Sequence, residues 1–490
     1  MDGDDHNAGQ TIAARRSVER MDPGWWRLGP TLLPAMAWMA VRGVDLAHSD
    51  LSIQRTLVEV RRDPHAFPGD LVADHAAGHP GLWLDLLALF SATDSLAIAA
   101  SLLVGTATAL AAAACMVRHT SRRVVVAIGV LAVILSRDLP GFVDTFPSAP
   151  ISRAAVLPLV LLAWALAGSR LDRWAGLPAG IAVAVHPAIG SAATLLALAH
   201  TRHRARLLLL VALAAAPVLG PALYASHPFT TLQARAVAWR WGHHLDIVNG
   251  LAMGIFMLVW CLFRSAHPTP SRRRLARVSL GIVVVVAAVA MGIRAQVLPA
   301  GLARLHPLHA LVPVACWVLL DAARTLADLP FYRLLPLSVV ILVIGTRVPD
   351  GWRATPRPLP RELVEQLEKV PPDRLLGIDP TQAAWARVQV RRGVHFSVKD
   401  GGEVISDDRF AARWAARLQR RCNAQVPPLQ WSPGPGWVRA RKACAVPLID
   451  ENIFRAERLA VLQLPRGADL SGWTILASQP EWHWVVPATP

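Results

Sequence analysis

The chain has 490 residues, of which 53% are hydrophobic and only 17% are charged, and its formal net charge is +16. A soluble domain of this size carries more charge and fewer long apolar blocks, so the composition argues against an ordinary globular protein and favours a membrane protein. Most of the positive charge is arginine in short segments between apolar blocks, without interleaved aromatic residues. This pattern is typical of membrane topology signals, and no nucleic-acid partner is expected.

Residues 1–27 are largely polar, lack a recognisable cleavable signal and are expected to form a disordered cytoplasmic N-terminus. Apolar blocks near the length needed to cross a bilayer then follow as far as residue 347. The sequence therefore predicts a mainly α fold, a polytopic transmembrane bundle over residues 28–349. The individual spans are predicted at 28–46, 94–117, 124–136, 152–168, 204–224, 248–263, 278–296, 308–323 and 331–347, with the region 174–200 in addition.

The region 174–200 could be one long span or two short, tilted spans that meet at His186-Pro187, because proline disfavours helix at the residue before it. The charge distribution favours two spans. A single span would place the arginine cluster at 272–274 outside, whereas two spans leave it in the cytoplasm, as the positive-inside rule requires. This gives about eleven spans, with the N-terminus inside and the C-terminus outside.

An external loop is predicted at residues 47–80, and it leads into residues 81–92. Their sequence, GLWLDLLALFSA, is typical of an amphipathic helix that lies along the outer interface. The alternative is that these residues begin a long second span. Residues 137–151, 225–247 and 297–307 are the other predicted external segments.

Residues 350–490 are more polar and predict an extracytoplasmic α+β domain. Helices are expected at 361–370 and 407–421, and strands at 374–379, in two runs within 388–400, and in the segments WTILAS and WHWVVPA near the end. If this domain faces an oxidising compartment, Cys422 and Cys444 are candidates for a disulfide.

Asp50 follows the first predicted span and precedes a stretch with helical periodicity, LSIQRTLVEV. A carboxylate at the membrane–water boundary is costly to desolvate, so it is a candidate general base that takes a proton from an acceptor hydroxyl or amine. The alternative is that Asp50 only caps the helix that follows.

A lipid-phosphate ligand would need cations on the outer side, and arginine binds phosphate oxygens through two parallel hydrogen bonds. The segment RAVAWRWGHH offers Arg240 for a phosphate and Trp239 or Trp241 for stacking on a sugar. The alternative is an interfacial belt of tryptophan and arginine. The external arginine candidates are Arg153, Arg235, Arg240, Arg294 and Arg304.

This arrangement resembles the GT-C glycosyltransferases, membrane enzymes that use polyprenyl-phosphate sugars and include the protein O-mannosyltransferases and the lipid A aminoarabinose transferase. Ser49-Asp50-Leu51 and its helix resemble the acidic motif of that superfamily. The segment 79–83, HPGLW, stands where the aminoarabinose-transferase branch has Lys-Pro-Pro before an aromatic helix, and His186-Pro187 resembles a Lys-Gly break. The departures are His79 for lysine, Gly81 for the second proline, and a single aspartate for an acidic pair.

The resemblance implies a second acidic residue in the loop 136–153, where Asp144 is favoured over Asp138, although an exposed loop acid is the alternative. It also implies a basic residue that opens a late span near the donor phosphate, which corresponds to Arg304 with His309 nearby. Some members of the superfamily use a divalent metal. No ligand set for one is visible in this sequence, and no cofactor is assigned.

The resemblance implies transfer of a sugar from a polyprenyl-phosphate carrier to an extracytoplasmic acceptor. The residues assigned to catalysis are Asp50 and Asp144, those assigned to the donor phosphate are Arg153, Arg240 and Arg304, and those expected to line the substrate site are His79, His186, Trp241 and His309. The alternatives are a non-catalytic protein of envelope polysaccharide assembly and a lipid or solute transporter. The richness in alanine, arginine and proline indicates a GC-rich bacterial genome and hence an inner membrane. The sequence does not indicate an oligomeric state.

Overall fold

The computed structural model describes residues 49–75, 81–90, 93–117, 120, 123–135, 139–140, 151–224, 228–326, 359–380, 382–405, 407–422, 424–427, 431, 444 and 449–488. Over these residues the chain is mainly helical, with a small sheet in its C-terminal part. The predicted spans 28–46 and 331–347, together with His79 and Asp144, lie outside the described residues. The count of eleven spans therefore stays a prediction.

The N-terminal two thirds of the described chain form helices, and those at the described predicted spans have bounds near the predicted ones. In chain order they are α1 Ser49–Arg62, α2 Leu71–His75, α3 Leu82–Ala88, α4 Asp94–Val117, α5 Arg123–Leu135, α6 Ser152–Leu166, α7 Gly176–Val185, α8 Pro187–His200, α9 Arg204–Tyr224, α10 Thr231–Trp241, α11 Leu251–Ser265, α12 Pro270–Arg294 and α13 Leu311–Leu326. Because α3 ends before α4 begins, residues 81–92 are not the start of the second span.

Three helical segments are long and apolar enough to cross a membrane: Asp94–Val117, Pro270–Arg294 and Ala300–Thr325. Large apolar side chains remain exposed on the outer faces of the bundle, for example Leu213 on α9 and Val285 on α12, which are 63% and 60% exposed. A contiguous apolar exterior is costly in water and favourable in lipid. The helical part of the chain is therefore membrane-embedded.

The helix breaks at His186-Pro187, as the sequence predicts. His186 is extended, with φ −151° and ψ 98°, and it separates α7 from α8. The two helices pack together as a hairpin, and Gly190 makes this contact close, because a Cβ at that position would lie 2.2 Å from the backbone nitrogen of Val183. With 10 and 14 residues, α7 and α8 are about 15 and 21 Å long, shorter than the roughly 30 Å of a bilayer core.

The C-terminal part is α+β, as predicted. Its elements are α14 Arg361–Leu367, β1 Leu375–Gly377, α15 Ala383–Val390, α16 Asp408–Cys422, α17 Glu451–Ala456, β2 Leu459–Pro465, β3 Trp473–Ser478 and β4 Trp482–Pro487. The strand order is β1-β2-β4-β3, with β1 parallel to β2 and the other pairs antiparallel. Cys422 and Cys444 form a disulfide that ties the end of α16 to a later segment.

The two strands predicted within 388–400 are wrong. The first run, VQV, is the end of α15, and the second leads through an isolated bridge at Val394 into a short 3₁₀ helix, Lys399–Ile405. The β-branched residues of VQV favour a strand, but the chain reverses at Arg391 in the left-handed region, with φ 49°, so this run is the last turn of a helix.

A buried ion triad fastens the C-terminal part to the loop after α1. The Arg387 side chain is completely buried; its Nε lies 2.7 Å from Oδ2 of Asp70, and its Nη2 bonds to Oδ2 of Asp400. The Val394 backbone N–H also donates to Asp70, over 2.8 Å. Because every charge of this triad lies away from water, its members stabilise the fold only as a set.

Around the triad, α10 packs against the C-terminal part. Trp239 on α10 contacts Trp414 on α16, with ring centroids 5.7 Å apart. Gln233 and Arg235 of the same helix donate to the backbone carbonyls of Val404 and Pro427, over 2.9 and 2.7 Å. Val404, Trp414 and Pro427 are therefore held against α10 by hydrogen bonds and by the packing of the two tryptophan rings.

The α7–α8 contact predicts a steric cost at Gly190. Gly190→Ala should lower the thermal stability of the purified protein by about 1–3 kcal/mol, because the new methyl group must displace the backbone of Val183. Gly281→Ala on α12 is the matched control, since nothing lies within 4 Å of its Cβ position. It should be neutral or slightly stabilising. Equal thermal unfolding midpoints for the two variants would contradict the close packing.

The ion triad predicts a large cost for removing its cation. Arg387→Met leaves two buried carboxylates without their partner and should destabilise the protein by about 3 kcal/mol or more. The control is Arg361→Met, which removes an ion pair with Glu365 in which the arginine side chain is 90% exposed. That change should cost less than about 1 kcal/mol, measured by chemical or thermal unfolding in detergent.

Asp400 should give the protein a specific pH dependence of stability. Burial raises the pKa of the Asp400 carboxyl to about 6, from 3.8, although Arg387 opposes this rise. The folded protein then binds a proton that the unfolded chain lacks between about pH 4 and 6, so this group stabilises the fold as pH falls through that window. Asp400→Asn should lose this gain. The measurement is the unfolding midpoint of both proteins across this pH range, and parallel profiles would contradict it.

Candidate functional site

A pocket of about 320 Å³ opens beside Asp50, and it is called the Asp50 pocket below. Its walls come from α1, the start of α3, the start of α6, the α7–α8 break, the end of α10 and the 3₁₀ helix at 399–405. The polar side chains that line it are Asp50, Gln54, Ser152, Arg153, His186, Arg240, His244, His306, His309, Lys399 and Glu403. Residues from widely separated parts of the chain thus converge on one hollow.

Two cations hold the Asp50 carboxylate in this pocket. Nη2 of Arg153, at the start of α6, lies 2.8 Å from Oδ2 of Asp50, and Nζ of Lys399 bonds to Oδ1. The Asp50 side chain is still 31% exposed. The carboxylate is therefore oriented by its partners and remains accessible from the pocket.

The pocket carries an excess of positive charge. Among the described residues, Arg153, Arg240 and Lys399 line it together with two carboxylates, those of Asp50 and Glu403. Arg240 is buried and donates from Nε to the carbonyl of Val398, over 3.1 Å. Burial lowers the pKa of the Lys399 ammonium, and the neighbouring Asp50 partly offsets this effect. The electrostatics favour an anionic ligand.

Four histidines and Trp241 form the aromatic side of the pocket. Nδ1 of His309 lies 3.1 Å from Nε2 of His186, and the His306 and His309 rings are stacked with centroids 4.6 Å apart. The His306 ring also packs on Trp241, at 4.2 Å, and His244 lies 5.9 Å from both His306 and His309. The pocket thus combines flat rings with several hydrogen-bonding nitrogens.

Some of these nitrogens are buried without a hydrogen bond in the described structure: Nδ1 of His186, His244 and His306, and Nε2 of His309. Buried polar atoms are normally paired, and an unpaired one costs free energy that a polar ligand can recover. His306 also adopts a left-handed backbone conformation, with φ 44°. Strained residues of this kind are common at binding sites.

The backbone before each ring explains its position. Pro187 favours the extended backbone conformation of His186. At this break between α7 and α8, His186 lines the pocket. The reversal at His306 separates the 3₁₀ helix Ala300–Leu305 from the one at Pro307–Ala310. His306 and His309, three residues apart, both line the pocket with their rings stacked.

The short helix α3 forms the opposite wall. Trp83 and Leu84 line the pocket, while Leu86 and Leu89 are 45% and 77% exposed. Asp85 bonds to Arg61 on α1 and fixes the helix there, with Nε and Oδ1 2.6 Å apart. An apolar surface thus adjoins the polar pocket, as an amphipathic ligand would require.

Six of the residues predicted from the sequence line the Asp50 pocket: Asp50, Arg153, His186, Arg240, Trp241 and His309. Arg304 is not among the lining residues. Its guanidinium lies over the ring of Phe229, 4.3 Å from the centroid. Its role at the donor phosphate stays a prediction.

Sequence reasoning did not assign Lys399 and Glu403 to the site. They belong to the segment SVKDGGEV, in which Asp400 and the two glycines read most simply as a turn. Only the docking of the C-terminal part onto α1 and α10 brings these side chains to Asp50. The one available signal was an isolated lysine in a chain whose cations are nearly all arginine.

A metal site is not formed by the side chains described. Within the described residues, no three His, Cys, Asp or Glu side chains are arranged to hold a metal ion. The four clustered histidines contact one another through ring faces and edges, and the cations of Arg153 and Arg240 share their pocket.

The chain was also compared with known proteins. No protein-family model matches it, and no curated protein matches its sequence.

Proposed function

We propose that the protein is a membrane glycosyltransferase that moves a sugar from a polyprenyl-phosphate carrier to an acceptor on the extracytoplasmic side of a bacterial inner membrane. The observation that carries this proposal is the position of Asp50. Its carboxylate opens into a cationic pocket that also presents aromatic rings and adjoins an exposed apolar helix. The cations suit the phosphate, the aromatic rings suit the sugar, and the apolar helix suits the lipid chain.

The donor phosphate is the ligand that the cations favour. Arg153 and Arg240 provide guanidinium groups that bind phosphate oxygens in pairs, and Lys399 adds an ammonium. Trp241 and the histidines supply the flat surfaces and hydrogen-bonding nitrogens that suit a sugar ring. The exposed side chains of Leu86 on α3 and Leu89 directly after it supply an apolar path for the carrier's hydrocarbon chain.

In the transfer step, Asp50 takes the proton of an acceptor hydroxyl or amine, whose lone pair attacks the anomeric carbon of the sugar. The bond from that carbon to the phosphate oxygen breaks, and the lipid phosphate leaves with the electron pair. Cations close to the departing phosphate stabilise its developing charge, which is commonly a large part of enzymatic rate enhancement. Arg153 and Arg240 serve this role in the proposal.

Because Asp50 is ion-paired, binding of the donor would also change the basicity of its carboxylate. In the structure Arg153 and Lys399 are both bonded to the carboxylate. A phosphate entering the pocket competes for the same cations and draws them away from Asp50. The carboxylate then becomes a better proton acceptor only when the donor is present, which protects the carrier from wasteful hydrolysis.

The proposal predicts that Asp50→Asn separates donor binding from turnover. Transfer should fall by roughly 100-fold or more, since a positioned general base contributes about that much. Binding of the donor should be unchanged or tighter, because the substitution removes a negative charge beside the phosphate site. The assay follows consumption of short-chain polyprenyl-phosphate monosaccharides by mass spectrometry, with binding measured on the same preparation.

Two further variants serve as comparisons. Asp408→Asn removes an exposed carboxylate at the start of α16 that does not line the pocket, and it should keep most of the activity. Arg153→Gln should weaken donor binding itself. If Asp50→Asn transfers sugar at the normal rate, or if no member of the donor panel binds to the wild-type protein, the proposal is wrong. A transporter or an assembly protein would then be the better hypothesis.

A further inference from the structure

A second cavity lies at the far end of the same helices that form the Asp50 pocket. Three segments connect the two hollows: α6 runs from Arg153 to Trp164, α8 runs from Pro187 to His200, and the span Ala300–Thr325 runs from His309 to Arg324. This second cavity has a volume of about 270 Å³ and is called the Arg272 pocket below. It opens at the end of the bundle that the positive-inside rule assigns to the cytoplasm.

The charge of the Arg272 pocket is positive. Among the described residues that line it, Asp321 supplies the carboxylate, and Arg264 holds it with Nε and Nη2 at 2.7 and 3.1 Å from its two oxygens. Trp260 donates to the same carboxylate, over 3.0 Å. Arg272 and Arg324 line the pocket, and Arg264 adds a third guanidinium behind Asp321, so among the described residues the positive charge exceeds the negative charge.

The rest of the lining is divided between polar and apolar groups. Hydroxyl-bearing Thr269 and Ser271 flank Arg272 at the start of α12. Deeper in the bundle, Trp164, Leu275 and Trp317 form an apolar wall. A small soluble anion would leave this apolar surface unused, whereas a lipid uses both parts.

The surface around the pocket would also attract such a lipid. Arg274 and Arg277 are exposed on the same first turns of α12, and with Arg273 they line a shallow depression next to the pocket. Exposed arginines beside a membrane attract anionic headgroups. They raise the local concentration of negatively charged lipid without selecting its position.

We propose that the Arg272 pocket is a specific binding site for the phosphate of an anionic lipid in the leaflet opposite the Asp50 pocket. Arg272 and Arg324 bind the phosphate, Thr269 and Ser271 donate hydrogen bonds to it, and the first part of the acyl chain packs on Trp164 and Trp317. The site is separate from the proposed sugar transfer and does not depend on it.

The test uses the full-length protein in detergent with a photoreactive phosphatidic acid, and mass spectrometry maps where the lipid becomes attached. Attachment should occur in the segment 269–275 and at the ends of α6 and α13. Arg272→Gln should raise the lipid concentration needed for half-maximal attachment there by about tenfold, the usual effect of losing one charged hydrogen bond. Arg324→Gln should act in the same direction.

Arg274→Gln is the matched control, because it removes the same charge from the same helix without touching the pocket. It should change that concentration by less than about twofold. Arg153→Gln should leave attachment at 269–275 unchanged, so failure of this site is distinguishable from failure of the Asp50 pocket. The side chain of Arg272 is only half-buried, and its hydrogen bond to His267 is long, at 3.4 Å, so the variant should keep the wild-type unfolding midpoint.

Three outcomes would overturn the proposal. Equal losses in Arg272→Gln and Arg274→Gln would mean that attraction by the general charge of the surface accounts for binding. Equal attachment of a photoreactive phosphatidylcholine would mean that the pocket does not select anionic lipid. Displacement of the lipid by inorganic phosphate at similar concentration would mean that the ligand is a soluble anion.

Discussion

The buried triad of Asp70, Arg387 and Asp400 is the interaction on which the architecture of the Asp50 pocket depends. Asp70 belongs to the loop after α1, whereas Arg387 and Asp400 belong to the C-terminal part of the chain. Asp400 directly follows Lys399, which bonds to Asp50. The triad therefore sets the distance at which the C-terminal part supplies its cation to the membrane helices. A looser attachment would cost Asp50 its bond to Lys399.

A pocket assembled in this way requires both parts of the molecule. The part of the chain before residue 326 contributes the carboxylate of Asp50, the imidazoles and two guanidinium groups, and the C-terminal part contributes Lys399 and Glu403. The packing of Trp239 against Trp414 and the hydrogen bonds from Gln233 and Arg235 also hold the two parts together. The C-terminal part thus forms one wall of the site and is more than a cover over it.

The amino-acid sequence predicted those features that depend on local chemistry. Long apolar blocks gave the helices of the bundle with bounds close to the observed ones, and proline at 187 gave the break between α7 and α8. Asp50, Arg153 and Arg240 could be proposed as site residues because a predicted topology places them on one side of the membrane. Periodicity and charge are sufficient for such conclusions, since the bilayer restricts the choices of structure.

Features that depend on long-range contacts were not predictable in the same way. Lys399 reaches Asp50 across 349 positions of the chain, and no local pattern encodes that contact. β2 is buried along nearly its whole length and lacks the alternation that marks a half-exposed strand, so it was missed. VQV has strand-forming residues but ends a helix, because the left-handed turn at Arg391 and the packing of Val390 decide its structure.

The shortness of α7 and α8 has a consequence for the surrounding lipid. A hairpin of two helices about 15 and 21 Å long is shorter than the thickness of a relaxed hydrocarbon layer. The bilayer beside the hairpin must therefore become thinner, so that the lipid tails do not face polar surface. Leu177 and Leu195, on the two arms of the hairpin, are 44% and 48% exposed, and they would meet this deformed lipid. The headgroup layer would then descend toward His186, and a carrier's polar end could approach the imidazoles without a full crossing of the apolar layer.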